Sequence, residues 1–148
     1  MSTINRHGSR RHTLALFTLL ASNVLIPALG YAEEEKSEPT QIPATSTAIW
    51  QAIDQQTAAL DQIIKAGKLE GVHHHAFAIR DLVNALPSKS SALTAAQLTQ
   101  VKESGKYVAT LANRLDAAGD AKNMADTLTH FQRLKDLLKT IRVHYKGV

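Results

Sequence analysis

The sequence predicts an all-α protein: an up-down-up-down four-helix bundle that follows a cleaved signal peptide and a short disordered leader. Three observations lead to this fold class. From Ser46 onward, apolar residues recur at spacings of three and four, the period of an amphipathic helix. The helix-ending residues Gly67, Pro87 and Gly119 divide this pattern into four segments without strand-like alternation. Because the connections are short, consecutive helices are expected to be antiparallel neighbours.

The first 32 residues have the pattern of a secretory signal peptide. Arg6, Arg10 and Arg11 precede the apolar stretch Leu14–Leu29, and small residues follow up to Ala32. We expect cleavage near Ala32 and export to the periplasm, with the Sec pathway ranked ahead of the twin-arginine pathway. The apolar stretch is too short and too interrupted to predict a permanent membrane span.

Residues 33–45 are rich in Glu, Pro and small polar residues, which predicts a disordered leader and leaves 46–148 for the bundle. The first 32 residues carry three arginines and no acidic residue, so their removal lowers the net charge from +4 to +1. Basic and acidic residues are interspersed along the rest, so no nucleic-acid partner is implied. The absence of cysteine excludes thiol catalysis and Cys-based zinc or iron–sulfur sites.

The first hairpin is predicted from two apolar stripes. Its first helix runs from about 47 to 66 and stops at Gly67. Its second helix runs from about 68 to 86 and is ended by Pro87. The stripes are Ile49, Ile53, Gln56, Leu60 and Ile63 in the first helix, and Leu69, Val72, Ala76, Ile79, Val83 and Leu86 in the second.

The second hairpin begins at Thr94–Gln97, which has the pattern of a capping box. The third helix is expected to stop at Gly119, and Asp120 is expected to cap the fourth, which continues to Tyr145. The stripes are Leu98, Val101, Gly105, Val108, Ala112 and Leu115, then Met124, Thr127, Phe131, Leu134, Leu138, Ile141 and Tyr145. An offset of 52 positions aligns Gly67 with Gly119, as expected of either a duplicated hairpin or two pairs that obey the same packing rule.

Five histidines follow the predicted signal peptide: His73, His74, His75, His130 and His144. At about 100° per residue, His73 and His75 lie about 200° apart on one helix, so the triplet cannot bind a single metal ion. No pair has the i,i+4 spacing of a helical chelate. We therefore predict a site between helices, which uses His73 or His75 together with a ligand from another helix, His130 of the parallel fourth helix being the leading candidate. The neighbouring helices bring Asp61, Asn113 and Asp116 into plausible range of this site. Imidazole with carboxylate suits a divalent transition metal, and imidazole with thioether suits copper.

The stretch Gly67–Leu82, together with Leu115–Ala121, resembles small periplasmic helical proteins and domains associated with heavy-metal efflux systems in Gram-negative bacteria. The resemblance spans Ile49 to Leu138. It implies a metal-handling accessory protein. Among the histidines, the resemblance implies a ligand role first for His73, which lies in the run Val-His-x-x-Ala-Phe.

The ending Leu138–Tyr145 is similar to the last helix of cytochrome b562-like bundles, which bind haem. In that family the ligand His follows the Tyr, whereas here His144 precedes Tyr145 and Lys146 takes the ligand position. The first helix also lacks the expected Met ligand. The resemblance therefore supports the fold and argues against haem as a cofactor.

These observations predict a non-enzymatic periplasmic protein that binds a transition metal in metal homeostasis or resistance. An enzyme is not expected, because no nucleophile, general base or oxyanion loop is visible. The alternative is an interaction or adaptor module without a specific metal site, docking an envelope or efflux complex, with Trp50 as a bundle-end or partner contact. A b-type haem-binding bundle ranks third.

Overall fold

The computed structural model describes residues 39–145, which form four α-helices. α1 comprises Ser46–Lys65, α2 Val72–Ala85, α3 Ala95–Asp120 and α4 Met124–Arg142. No strand occurs in this part of the chain, and the predicted all-α four-helix bundle is confirmed. The predicted signal peptide and residues 33–38 of the predicted leader lie outside the described residues.

Buried side chains from all four helices form one core. Three neighbouring pairs, α1 with α2, α2 with α3 and α3 with α4, pack closely, whereas α1 and α4 approach each other less closely. The most deeply buried members of the core include Ile49, Ile53, Leu60, Val72, Ile79, Val83, Val108, Leu115, Leu134 and Ile141. Within residues 39–145, none of the helices is both long enough and apolar enough to cross a bilayer.

Local capping explains where α1 begins and ends. Thr45 is extended, and its hydroxyl oxygen accepts a hydrogen bond from the Ala48 amide at 3.2 Å. At the other end, Gly67 has a φ of +72°, and the Lys68 amide donates to the Ile63 carbonyl at 2.9 Å. This is a Schellman motif, and it places the stop at the glycine that the sequence predicts.

The second predicted helix is interrupted at both ends. A 3₁₀ helix, Leu69–Gly71, precedes α2, and another, Leu86–Lys89, follows it. Pro87 has no amide hydrogen and cannot continue the α-helical hydrogen bonds, so the chain passes through it in the tighter turn. The prediction of one continuous helix over 68–86 was therefore wrong at its ends.

Gly119 does not end α3, contrary to the prediction. It is buried inside the helix, where an added Cβ would lie 2.8 Å from the Leu69 carbonyl oxygen and 3.2 Å from the Val72 Cβ. The missing side chain thus lets α3 approach the start of α2 closely. Gly119 therefore serves a close contact between helices rather than the end of a helix.

The capping box at the start of α3 is confirmed: Thr94 and Gln97 bond to each other's backbone amides. The end of α3 differs from the prediction, because the chain turns at Lys122, which has a φ of +52°. Asn123 then caps α4, with its side chain accepting an amide hydrogen bond in the first turn. Asp120, the predicted cap, is instead the last residue of α3.

The two hairpins repeat at an offset of 55 positions rather than 52. At this offset Gly67 corresponds to Lys122, and both residues form Schellman turns. The buried positions also correspond: Val72, Ala76, Ile79, Val83 and Leu86 match Thr127, Phe131, Leu134, Leu138 and Ile141. The same packing register therefore serves both hairpins.

Candidate functional site

His73 lies in the first turn of α2 and is half-buried. Its Nδ1 lies 3.0 Å from the carbonyl oxygen of Glu70, so Nδ1 carries the hydrogen and donates it. Nε2 then has the lone pair with which a neutral imidazole binds a metal ion. The backbone hydrogen bond therefore holds the ring in the tautomer of a typical metal ligand.

Asp116 on α3 is the carboxylate that interacts electrostatically with His73. Burial raises the pKa of Asp116, and the neighbouring carboxylate of Asp120 raises it further, whereas His73 lowers it. Imidazole and carboxylate are the two ligand types that suit zinc, nickel or copper(II).

His75 lies on the opposite side of α2, toward α1. Its Nδ1 is 2.7 Å from Oε1 of Gln56. Burial lowers the pKa of His75, and repulsion from His74 and His73 lowers it further. His75 and His73 therefore have different helix neighbours, α1 for the first and α3 for the second.

His130 on α4 lines a small groove that α4 forms with α3, beside Arg114 and Asp126. Its Nδ1 is buried and has no hydrogen-bond partner among the described residues. Within residues 39–145, no group of three or more His, Asp or Glu side chains is placed to hold a metal ion. The predicted ligands His73, His75 and His130 thus do not form one such group, and the candidate centre is the His73 and Asp116 pair.

A second feature lies between α1 and α4, which we call the α1–α4 groove. It contains a cavity of about 250 Å³. Its lining consists of Trp50, Ile53, Thr57 and Leu138 together with the charged residues Asp54, Lys135, Lys139 and Arg142. Sequence reasoning missed this groove. The available signal was the set of basic residues at helical spacing beside the apolar stripe of the fourth helix.

Trp50 forms one end of the groove and is 8% exposed. The guanidinium of Arg142 lies 4.4 Å above its ring, a cation–π contact, and Nη2 of Arg142 bonds to Oδ1 of Asp54 at 2.6 Å. Tyr145 contacts the ring edge-on, with centroids 5.6 Å apart. The indole nitrogen is buried without a hydrogen-bond partner in residues 39–145.

No protein-family model, curated protein or solved structure matches the chain. The described residues form an all-α four-helix bundle, with an electrostatic interaction between His73 of α2 and Asp116 of α3 and a groove between α1 and α4.

Proposed function

We propose that this protein is a non-enzymatic periplasmic accessory protein that binds a divalent transition metal or copper in metal homeostasis or resistance. The observation that carries this proposal is the support of His73: its Nδ1 is held by the Glu70 carbonyl, and Asp116 interacts with it from α3. Histidines that bind metals through Nε2 typically donate the hydrogen of Nδ1 to a backbone carbonyl or a carboxylate in this way.

His73 and Asp116 supply only two ligands, so water or a second chain completes the coordination sphere. A site of this kind binds more weakly than a closed four-ligand structural site. It suits a protein that takes up a metal and releases it to a partner. His75 and His130, which the sequence analysis also proposed, are the next candidate ligands for a sphere completed by a second chain.

The test is calorimetric titration of the purified exported protein with Cu(II), Zn(II) and Ni(II). We expect one of these three metals to bind, with a stoichiometry of one ion per chain or per dimer. Replacement of His73 by Ala, or of Asp116 by Asn, should weaken binding by about tenfold or more, because each removes a donor. Circular dichroism of each variant checks that the helices are retained.

His144→Ala is the matched control, because it removes an imidazole in the 3₁₀ helix Val143–Tyr145 rather than at the site. Its affinity should stay within about twofold of the wild type. His74→Ala should also bind normally if His73 alone in the triplet is the ligand. Equal small losses for all histidine variants would reject a specific site and favour the adaptor alternative.

A further inference from the structure

The α1–α4 groove is the open seam of the bundle. α1 and α4 approach each other less closely than the other neighbouring pairs. At the Trp50 end they are joined by the ion pair of Arg142 with Asp54. The cavity between them is lined in part by the apolar side chains of Ile53 and Leu138.

The seam continues along α4 beyond the cavity. At about 100° per residue, Met124 and Leu128 fall within about 60° of Lys135, Lys139 and Arg142 around the helix axis. Met124 is 37% exposed and Leu128 is 49% exposed, although both are large apolar residues. Met124 and Leu128 thus form an exposed apolar patch near the start of α4, on the same side as the basic residues of the groove. The distance from Met124 to Arg142 along the helix is about 27 Å.

The charges along this seam are mostly positive. Asp54 pairs with Arg142, and on α1 Asp61 pairs with Lys65. Lys135 has its Nζ 4.6 Å above the Phe131 ring. Lys139 pairs with Asp136 at 3.0 Å, and Asp136 does not line the groove. The lining of the groove itself contains three basic side chains and one acidic side chain, so its net charge is positive.

We propose that the α1–α4 groove binds an acidic amphipathic helix of a partner protein. A helix laid along two antiparallel helices would place its apolar face on Leu128 and Leu138. Acidic residues flanking that face would meet Lys135 and Lys139. The cavity beside Trp50 takes an anchoring side chain, as interface hot spots do. This activity is independent of the proposed metal site, which lies between α2 and α3.

A second copy of this chain fits the groove less well. A symmetric dimer would bring the same patch of both copies together, so Lys135 and Lys139 would face their own equivalents. Like charges across an interface oppose association. Charge complementarity thus favours an acidic partner over self-association.

Trp50 provides the readout, because it is the only tryptophan in the chain. We would titrate the full exported protein, in the presence of EDTA, with a designed helical peptide of about 18 residues, which matches the seam length. The peptide has Leu on one face and Glu on both flanks, and a matched peptide has Lys in place of Glu. The Glu peptide should shift the Trp50 emission and bind at least about tenfold more tightly than the Lys peptide.

The variant Lys135→Glu with Lys139→Glu should weaken binding of the Glu peptide by about tenfold or more. Lys102→Glu with Lys106→Glu, on exposed positions of α3, is the matched control and should leave binding unchanged. The proposal is overturned if neither peptide binds, or if both bind equally. It is also overturned if anionic phosphatidylglycerol vesicles replace the peptide as the preferred ligand, or if sedimentation shows a dimer that Leu128→Glu dissociates.

Discussion

The hairpins α1–α2 and α3–α4 bury corresponding residues at many repeat positions, but one of these positions has opposite roles in the two hairpins. Trp50 of the first hairpin corresponds to Gly105 of the second. Trp50 lines the α1–α4 groove, whereas an added Cβ at Gly105 would lie 3.0 Å from Oδ1 of Asn84 on α2. A glycine therefore favours close approach at the α2–α3 seam, and an indole occupies the open α1–α4 seam. The repeat preserves the core while the two seams diverge.

The histidines show a second difference. His75 and His130 correspond at the offset of 55. Gln56 bonds to Nδ1 of His75, but the residue that corresponds to Gln56 is the buried Leu111. Nδ1 of His130 accordingly lacks a hydrogen-bond partner among the described residues. The packing register is thus repeated without its polar partners, so similar positions need not share a function.

The largest expected effect tests whether both hairpins are equally well packed. Ile79 and Leu134 correspond, and both side chains are completely buried. Replacement of either residue by Ala should lower the free energy of unfolding by about 2–5 kcal/mol, measured by urea denaturation. The exposed His74→Ala is the control and should be nearly neutral. A large loss at only one of the two core positions would contradict the common register.

Two glycines separate a contact effect from a backbone effect. Gly119→Ala places a Cβ against the Leu69 carbonyl, and we expect a loss of about 1–2 kcal/mol after the gain in helix propensity. Gly67→Ala meets no atom within 4 Å but must adopt a φ of +72°, which costs about 1 kcal/mol.

Asparagine distinguishes these causes, because it tolerates the left-handed region. Gly67→Asn should remain closer to the wild type than Gly67→Ala in thermal denaturation. Gly119→Asn should be at least as unstable as Gly119→Ala, because the larger side chain meets the same backbone. The reverse order would show that the roles assigned to the two glycines are wrong.

These glycines also show how much the sequence could predict. Helix periodicity and the capping box depend on neighbouring residues, so the four helices and the Thr94 cap were predictable. The role of Gly119 depends on the approach of another helix, which no local pattern records. The spacing of His73 and His75 could indicate opposite sides of α2. Asp116 was one of three residues that the sequence placed within plausible range of the histidines. Its interaction with His73 in particular, and the bond of Gln56 to His75, follow only from the rotation of each helix in the bundle.

The ends of the hairpins give a pH-dependent prediction. Ser90 and Tyr145 correspond at the offset of 55, and their hydroxyl oxygens lie 2.9 Å apart. Burial raises the pKa of Tyr145 above its ordinary value of 10.0, although the Ser90 hydrogen bond lowers it. The unfolded chain therefore loses the Tyr145 proton first, so this residue reduces stability as pH rises above about 10.

Tyr145→Phe should lose about 1 kcal/mol at neutral pH, because the hydrogen bond to Ser90 is removed. Its deficit relative to the wild type should shrink between about pH 9 and 11, since phenylalanine does not ionise. Urea denaturation across this range measures the difference. Tyr107→Phe is the control for loss of a phenol at a side chain that is 65% exposed. A constant deficit for Tyr145→Phe would contradict the proposed effect of burial.

The smallest expected effect comes from a substitution that makes the two turns chemically alike. Lys122 occupies the position of Gly67 and has a φ of +52°, a conformation that costs a residue with a side chain about 1 kcal/mol. Lys122→Gly relieves this strain but adds freedom to the unfolded chain, so a net gain of about 0.5 kcal/mol is expected. For a domain of this size the melting temperature should rise by roughly 2–4 °C. Lys122→Ala removes the charge without relieving the backbone and should not stabilise the protein. Equal stability gains for both variants would show that the lysine charge, and not the backbone strain, causes the effect. The turn at Lys122 would then differ physically from the turn at Gly67.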